Sequence, residues 1–354
     1  MEKKIAVVGT GANGSCLAAD LVRANYKVAL FDQWPEHVEA MRKSGLKVSM
    51  PSEELLVNPN AYHLCELCSL NEVFDYVFVM VKAYDTKWIC HLMEPYLAED
   101  GLMVGIQNGM TAEEIAEIVG FDRTIACVVE LSSEIFNPGF VQRNTPPERT
   151  WFGIGSLTDD MKHRVAEIEP ILLEVGRVAI TENIIAAKWM KLVINTMSLG
   201  PAAMLGLPLQ EALKLEGVKE FALKVGTEAL AVGQKRGYSI EPIFGLTKDD
   251  IKDTNRLLET LFDKLVADVG PAARDCVLQD HLKGRYSEVD LINGLVAHES
   301  KENGASGINN QAVTEITNRI RRGELEPDPA NMNIAIELSS RQSKNLSVIF
   351  LSEY

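Results

Sequence analysis

The sequence has little to offer a disulfide scaffold, a membrane or a polyanion. Its six cysteines, Cys16, Cys65, Cys68, Cys90, Cys127 and Cys276, are scattered without a pairing framework, as in a chain that keeps its thiols reduced. Only Cys65-Glu66-Leu67-Cys68 has a metal-like spacing. A zinc site would need a second ligand pair, and His63 with His91 is poorly spaced to supply it, so no metal is expected. No apolar run after Met1-Glu2-Lys3-Lys4 resembles a signal peptide, which makes a cytoplasmic location the expectation. The longest apolar region, Ile184 to Leu209, is interrupted by Lys188, Lys191, Asn195, Gly200 and Pro201 and falls short of a membrane span. Positive charge is scarce as well. Against 50 Asp and Glu there are 35 Lys and Arg, and the net charge of −15 repels nucleic acid and anionic lipid. A small molecule is the expected partner.

What is present is enough apolar residue, 46% of 354, for a core in each of two ordinary domains. The stretch KKIAVVGTGANGSCLAADLVRANYKVALFD reads as strand, glycine turn, helix and strand. Continuous apolar runs follow at Tyr76 to Ala83, Gly101 to Gly109 and Thr124 to Leu131, separated by helix-like segments such as TAEEIAEIVG. Runs without alternation suit parallel strands buried on both faces. After RTWFGIGS and a helix near Asp159 to Val175 the periodicity becomes helical, as in EGVKEFALKVGTEALAVGQKRG, DTNRLLETLFDKLVADVG and SEVDLINGLVAHESKENG. The expected architecture is α/β: an N-terminal Rossmann domain with a doubly wound parallel sheet over residues 1–182, then an all-helical domain over 183–326. Residues 327–354, from PDPANMN to the strand-like LSVIFLSEY, form an appendage docked on the body or on a partner subunit.

Gly9, Gly11 and Gly14 spell G-x-G-x-x-G between a strand and a helix, with Ala12 and Asn13 inside the turn. In that setting backbone N–H groups and a helix N-terminus can receive a pyrophosphate, so Gly9 to Gly14 is the expected dinucleotide loop. Asp32 follows at the end of the second strand, 18 residues past Gly14, where a carboxylate accepts from ribose hydroxyls and repels a 2′-phosphate. The residues after it are Gln33, Trp34 and Pro35, and the nearest arginine, Arg42, lies a helix away. NAD is therefore expected in preference to NADP.

The helix within Ala186 to Pro201 is apolar except along one stripe. At 100° per residue, with Lys191 at zero, Lys188 falls at about 60°, Asn195 at about 40° and Ser198 at about −20°. Beside a dinucleotide site this stripe gains a meaning. Hydride addition to a ketone makes an alkoxide, and a protonated lysine offers it both a proton and a positive charge. Asn195, one turn beyond Lys191, can hold the amine or the substrate.

Five segments in order resemble the ketopantoate reductases, or 2-dehydropantoate 2-reductases: VVGTGANGS, VKAYDT from Val81, IQNGM from Ile106, WMKLVINT from Trp189 and LQDHLKGRYSEVDLINGLV from Leu278. The resemblance, which extends to about residue 320, implies a homodimer that reduces a branched 2-oxo acid with a nicotinamide cofactor, in a cleft between its two domains. It implies that Lys191 is the general acid, that Asn195 binds substrate, and that Glu288 lies near the lysine, the substrate and the cofactor. Lys82 and Asn108 match residues near the nicotinamide and the reacting centre. Lys188 has no role in the pattern and is expected at the surface. Two positions of the substrate site depart from it: Leu199 stands where a second asparagine is usual, and Cys276 where a serine is usual. Both weaken hydrogen bonding to a substrate hydroxyl. GINN, Gly307 to Asn310, replaces the usual T-P-x-N, and Asp32 stands where many members carry an arginine for NADP. The expected activity is interconversion of a small 2-oxo acid and its 2-hydroxy acid; the alternatives are catabolic oxidation of another hydroxy acid with NAD, or an NAD(H) sensor without turnover.

Overall fold

The structure, a computed structural model, describes residues 3–340. The strand-like LSVIFLSEY lies outside the described residues. The described residues divide into two compact units, one of residues 3–188 with 241–246 and the other of 189–240 with 247–340.

The first unit begins β1 (Ile5–Val8), α1 (Ala12–Arg23), β2 (Val28–Asp32) and α2 (Pro35–Ser44), then β3 (Leu46–Ser49), β4 (Glu54–Val57) and β5 (Asn60–His63). It continues with β6 (Phe74–Val79), α3 (Thr86–Met93), β7 (Leu97–Ile106), α4 (Ala112–Val119) and β8 (Thr124–Glu130). It closes with β9 (Ser133–Asn137), β10 (Phe140–Arg143), β11 (Trp151–Ser156), α5 (Val165–Leu173) and β12 (Arg177–Ile180). Eight strands form one sheet in the order β12-β11-β8-β7-β6-β1-β2-β5, parallel throughout except where β11 runs against β8. The continuous apolar runs are explained by two cores. Ile5, Val7, Tyr76, Phe78, Leu102 and Val104 belong to the core on one face, whereas Ala6, Val8, Val77, Val79 and Met103 belong to that on the other.

A second sheet of four strands, β4-β3-β10-β9, was not anticipated from the sequence. It packs on α1, which is therefore buried from Gly14 to Leu21. Arg143 of β10 is fully buried and fully engaged there: it donates to Asp20 of α1 at 2.5 Å, to the carbonyls of Thr145 and Val175, and to the Thr150 hydroxyl. The pairing and the four bonds are what make an interior guanidinium tolerable. Residues 241–246 return to the first unit, where Phe244, also fully buried, packs edge-on against Trp151 of β11 with ring centroids 6.3 Å apart.

Helix α6 (Ile184–Met204) crosses the division between the units, which falls after Lys188. Among the described residues the second unit is helical: α7 (Leu209–Ala212), α8 (Val218–Lys235), α9 (Leu257–Val269), α10 (Cys276–Leu282), α11 (Val289–Glu302), α12 (Ile308–Arg321) and a helix over 331–340. Gly200 lets α6 approach its neighbours, since a Cβ there would lie 2.5 Å from Val313 Cγ1 and 2.8 Å from Asn293 Oδ1. The described start of the appendage docks on this unit, with the Asp328 amide and the Asn331 carboxamide both donating to the Met204 carbonyl. No helix among the described residues is long and apolar enough to cross a membrane.

Candidate active site

In the first unit the expected cofactor residues gather at the carboxyl ends of the parallel strands, around the point where β1 is flanked by β2 and β6. In open α/β sheets such a switch point is where a dinucleotide lies. Each glycine of the turn has its own reason. Gly9 has a positive φ of 87°, and a Cβ on it would stand 2.6 Å from the Val81 amide nitrogen. A Cβ on Gly14 would collide with the Gly9 carbonyl. At Gly11 nothing lies within 4 Å, so the approach to the first turn of α1, at Ala12 and Asn13, is open to a phosphate. Asn13 Oδ1 accepts from the Ser133 hydroxyl at 2.5 Å, which anchors the turn to the second sheet.

Asp32, 8% exposed, is held at both oxygens: Oδ2 accepts from Thr10 Oγ1 at 3.1 Å and Oδ1 from the Trp34 amide at 2.8 Å. Arg42 is engaged elsewhere. Its guanidinium donates to the Ala61 carbonyl, Glu39 and Glu66. Beneath the turn sits a residue that sequence reasoning missed. His37 is fully buried, its Nδ1 accepts from the Gly139 amide at 2.9 Å, and its Nε2 therefore carries the hydrogen donated to the Thr10 carbonyl at 2.9 Å. Burial holds its pKa below the usual histidine range, against the pull of the Asp32 carboxylate, so a neutral ring supports the loop. No motif marks it in the sequence.

Lys82 and Asn108, both half-buried, follow the ends of the adjacent strands β6 and β7. Between them Gln107 acts as a tie, its Nε2 donating to the Val81 carbonyl and to Thr86 Oγ1, each at 2.9 Å. Lys188 requires a correction. Expected at the surface, it is 3% exposed, and its ammonium donates to the carbonyls of Gln107 at 3.1 Å and Cys127 at 3.3 Å. Helix periodicity assigned it a direction, but what lies in that direction is the end of the sheet rather than water.

In the second unit Lys191, Asn195 and Leu199 succeed one another at intervals of four along α6, Lys191 and Leu199 half-buried and Asn195 1% exposed. Ser198 leaves the stripe, because its hydroxyl bonds back to the Ile194 carbonyl of its own helix. Leu199 and Cys276 share neighbours: both pack against the small apolar cluster of Ala203, Val277 and Leu278. Cys276 Sγ, the first residue of α10, is 4.0 Å from Glu288 Oε2 at the N-cap of α11. The two departures from the expected pattern thus border one apolar cluster, with Cys276 next to an acid and Leu199 on the helix that carries Lys191. Cys65 and Cys68 are exposed elsewhere on a short 3₁₀ helix, and among the described residues no group of histidines, cysteines and acids could hold a metal.

A glycine turn of the dinucleotide-binding type on a doubly wound sheet, followed by a helical unit whose first helix is apolar except for a stripe bearing Lys191 and Asn195, defines a nicotinamide-dependent oxidoreductase. The sequence model described as Ketopantoate reductase PanE/ApbA matches residues 5–156, and that described as Ketopantoate reductase PanE/ApbA C terminal matches 183–321. The chain belongs to the ketopantoate reductase family, and it is an NAD(P)-dependent oxidoreductase acting on 2-oxo and 2-hydroxy acids. It is similar to the 2-dehydropantoate 2-reductase of Archaeoglobus fulgidus, 24% identical over 91% of this chain and 99% of that one. Among solved structures it resembles a PanE/ApbA family ketopantoate reductase from Ralstonia eutropha JMP134, with a TM-score of 0.74, 25% identity, and 91% of this chain and 99% of that one covered. It also shares its fold with a D-mandelate dehydrogenase solved with NADH and anilino(oxo)acetate, at a TM-score of 0.80, 20% identity, and 90% and 99% coverage.

Proposed function

We propose that this chain uses NAD in preference to NADP, and that it acts on a 2-oxo or 2-hydroxy acid whose substituent is apolar where ketopantoate carries a hydroxyl. The observation that carries the substrate reading is the packing of Leu199 and Cys276 on one apolar cluster, with Cys276 beside Glu288, which we read as one apolar wall. A wall of this kind gains little from a substrate hydroxyl and would leave it without a partner. The mandelate dehydrogenase that shares the fold is in keeping with this reading. Asp32, held by Thr10 and Trp34, and Arg42, engaged by two acids and a carbonyl, support NAD.

The glycine turn, the start of α1 and Asp32 suit a dinucleotide, with Lys82, Asn108 and Glu288 as further cofactor contacts. When bound, its nicotinamide supplies or accepts the hydride. Lys191 protonates the oxygen of the 2-oxo acid during reduction and, deprotonated, takes the hydroxyl proton during oxidation. Asn195 and Glu288 orient the lysine and the substrate. The four-residue spacing on α6 lets one rigid helix present Lys191 and Asn195 together.

Incubation with NADH and a panel of 2-oxo acids, followed by cofactor absorbance, tests the reading. Turnover of trimethylpyruvate, which lacks only the hydroxyl of ketopantoate, should exceed that of ketopantoate in kcat/KM. A clear preference for ketopantoate would overturn the substrate assignment, and no oxidation with any acid would favour the sensor. Lys191→Ala should lose nearly all turnover, by about 10³-fold, while still binding NADH. We further propose a homodimer, for which the exposed Leu282, Tyr286 and Leu291 offer apolar surface on the second unit.

A further inference from the structure

Lys188 is the charged residue of the α6 stripe that neither the family pattern nor the reaction above uses, and it sits where an unused charge is costly. Its two acceptors are the carbonyls of Gln107 and Cys127. The ladder between β7 and β8 has its last paired residues at Ile106 and Cys127, so Gln107 is the first residue after β7. The ammonium holds that departing carbonyl to the neighbouring strand. Gln107 in turn ties its side chain to Val81 and Thr86, and its main chain leads into Asn108 and then Gly109, which has a φ of 77°. One buried amine therefore governs the path of the segment that carries Asn108, and through Gln107 the segment that carries Lys82.

We propose that Lys188 is a positioning residue for the nicotinamide half of the cofactor: its bonds to Gln107 and Cys127 place Asn108 at the carboxyl ends of β6 and β7. The proposal rests on the cofactor site assigned above. Burial also pulls this amine down to about 8. Bonds from an ammonium to carbonyls are stronger than those from an amine, so the hold slackens as the proton leaves. Among the described residues Cys127 is the titratable group that acts on Lys188, and burial pushes that thiol up to about 12, leaving it neutral at working pH. Gln107, Val81 and Thr86 carry no charge, and the next charged residue on its own helix is Lys191.

The test is fluorescence titration of the full chain with NADH from pH 6.5 to 9.5, with ADP-ribose, which lacks the nicotinamide, as the second ligand. In the parent, NADH affinity should hold below pH 7 and fall as the pH rises through about 8. Lys188→Met should bind NADH about ten-fold more weakly at pH 7, with that pH dependence gone, while its ADP-ribose affinity stays within about two-fold of the parent. A flat parent profile, an unchanged Lys188→Met, or an equal loss of both ligands would overturn the proposal. The parent profile decides the matter alone if the variant fails to fold. A parent that binds neither NADH nor ADP-ribose would instead overturn the cofactor site itself.

Discussion

At Asp32 we propose that a single side chain carries the choice between two cofactors. Its oxygens are already oriented by Thr10 and by the Trp34 amide, so the carboxylate has no freedom to turn away from an arriving phosphate. We expect NADH to bind at least about ten-fold more tightly than NADPH, a difference of about 1.4 kcal/mol. Asp32→Arg should level or reverse it, as read by fluorescence titration; equal affinities in the parent would remove Asp32 from the role. At this scale the sequence was informative where backbone geometry demands glycine, as at Gly9 and Gly14. It was silent on His37 and misleading on Lys188. Both have roles that depend on partners distant in the chain: Gly139 for the first, Gln107 and Cys127 for the second.

Among the elements, the long parallel strands were legible because burial on both faces leaves unbroken apolar runs, and the glycine turn gave β1 and α1 their boundary. The second sheet was not. Its strands β3, β4 and β10 have four residues each and β9 five, too few to show a period, and β3 pairs with β10 across more than ninety residues of chain. The start of α12 teaches the complementary lesson. GINN departs from the expected pattern, yet the helix end is satisfied by Glu228 of α8. That buried carboxylate accepts from the amides of Asn309 and Asn310, from both their side chains, and from the Ser306 hydroxyl. A carboxylate at a helix N-terminus complements the helix dipole and satisfies amides that have no partner within the helix. Glu228→Ala should therefore lower the unfolding free energy by about 2–4 kcal/mol in urea denaturation. A loss under about 0.5 kcal/mol would mean that water replaces the carboxylate at no cost.

On the scale of the whole molecule, the net charge of −15 disfavours close approach of two copies, so a dimer must be held by apolar surface rather than by charge. Light scattering of the full chain should give twice the 39.1 kDa of the monomer, with little change on raising the salt. A monomer at every salt concentration would contradict the proposed assembly. The chain's plan as an α/β unit followed by a helical one could be read from the change in periodicity, because that change reflects burial on two faces giving way to burial on one. The return of residues 241–246 could not, since six residues without a repeat give no periodic signal.

That return bears on how the protein can be made. Trp151 and its strand leave the ribosome long before Phe244, which covers the ring, so the first unit cannot complete its packing when its own continuous stretch has been synthesised. It must wait until α6, α7 and α8 have been translated. A gene fragment ending at residue 188 would encode the first unit with Trp151 uncovered on the side that Phe244 packs.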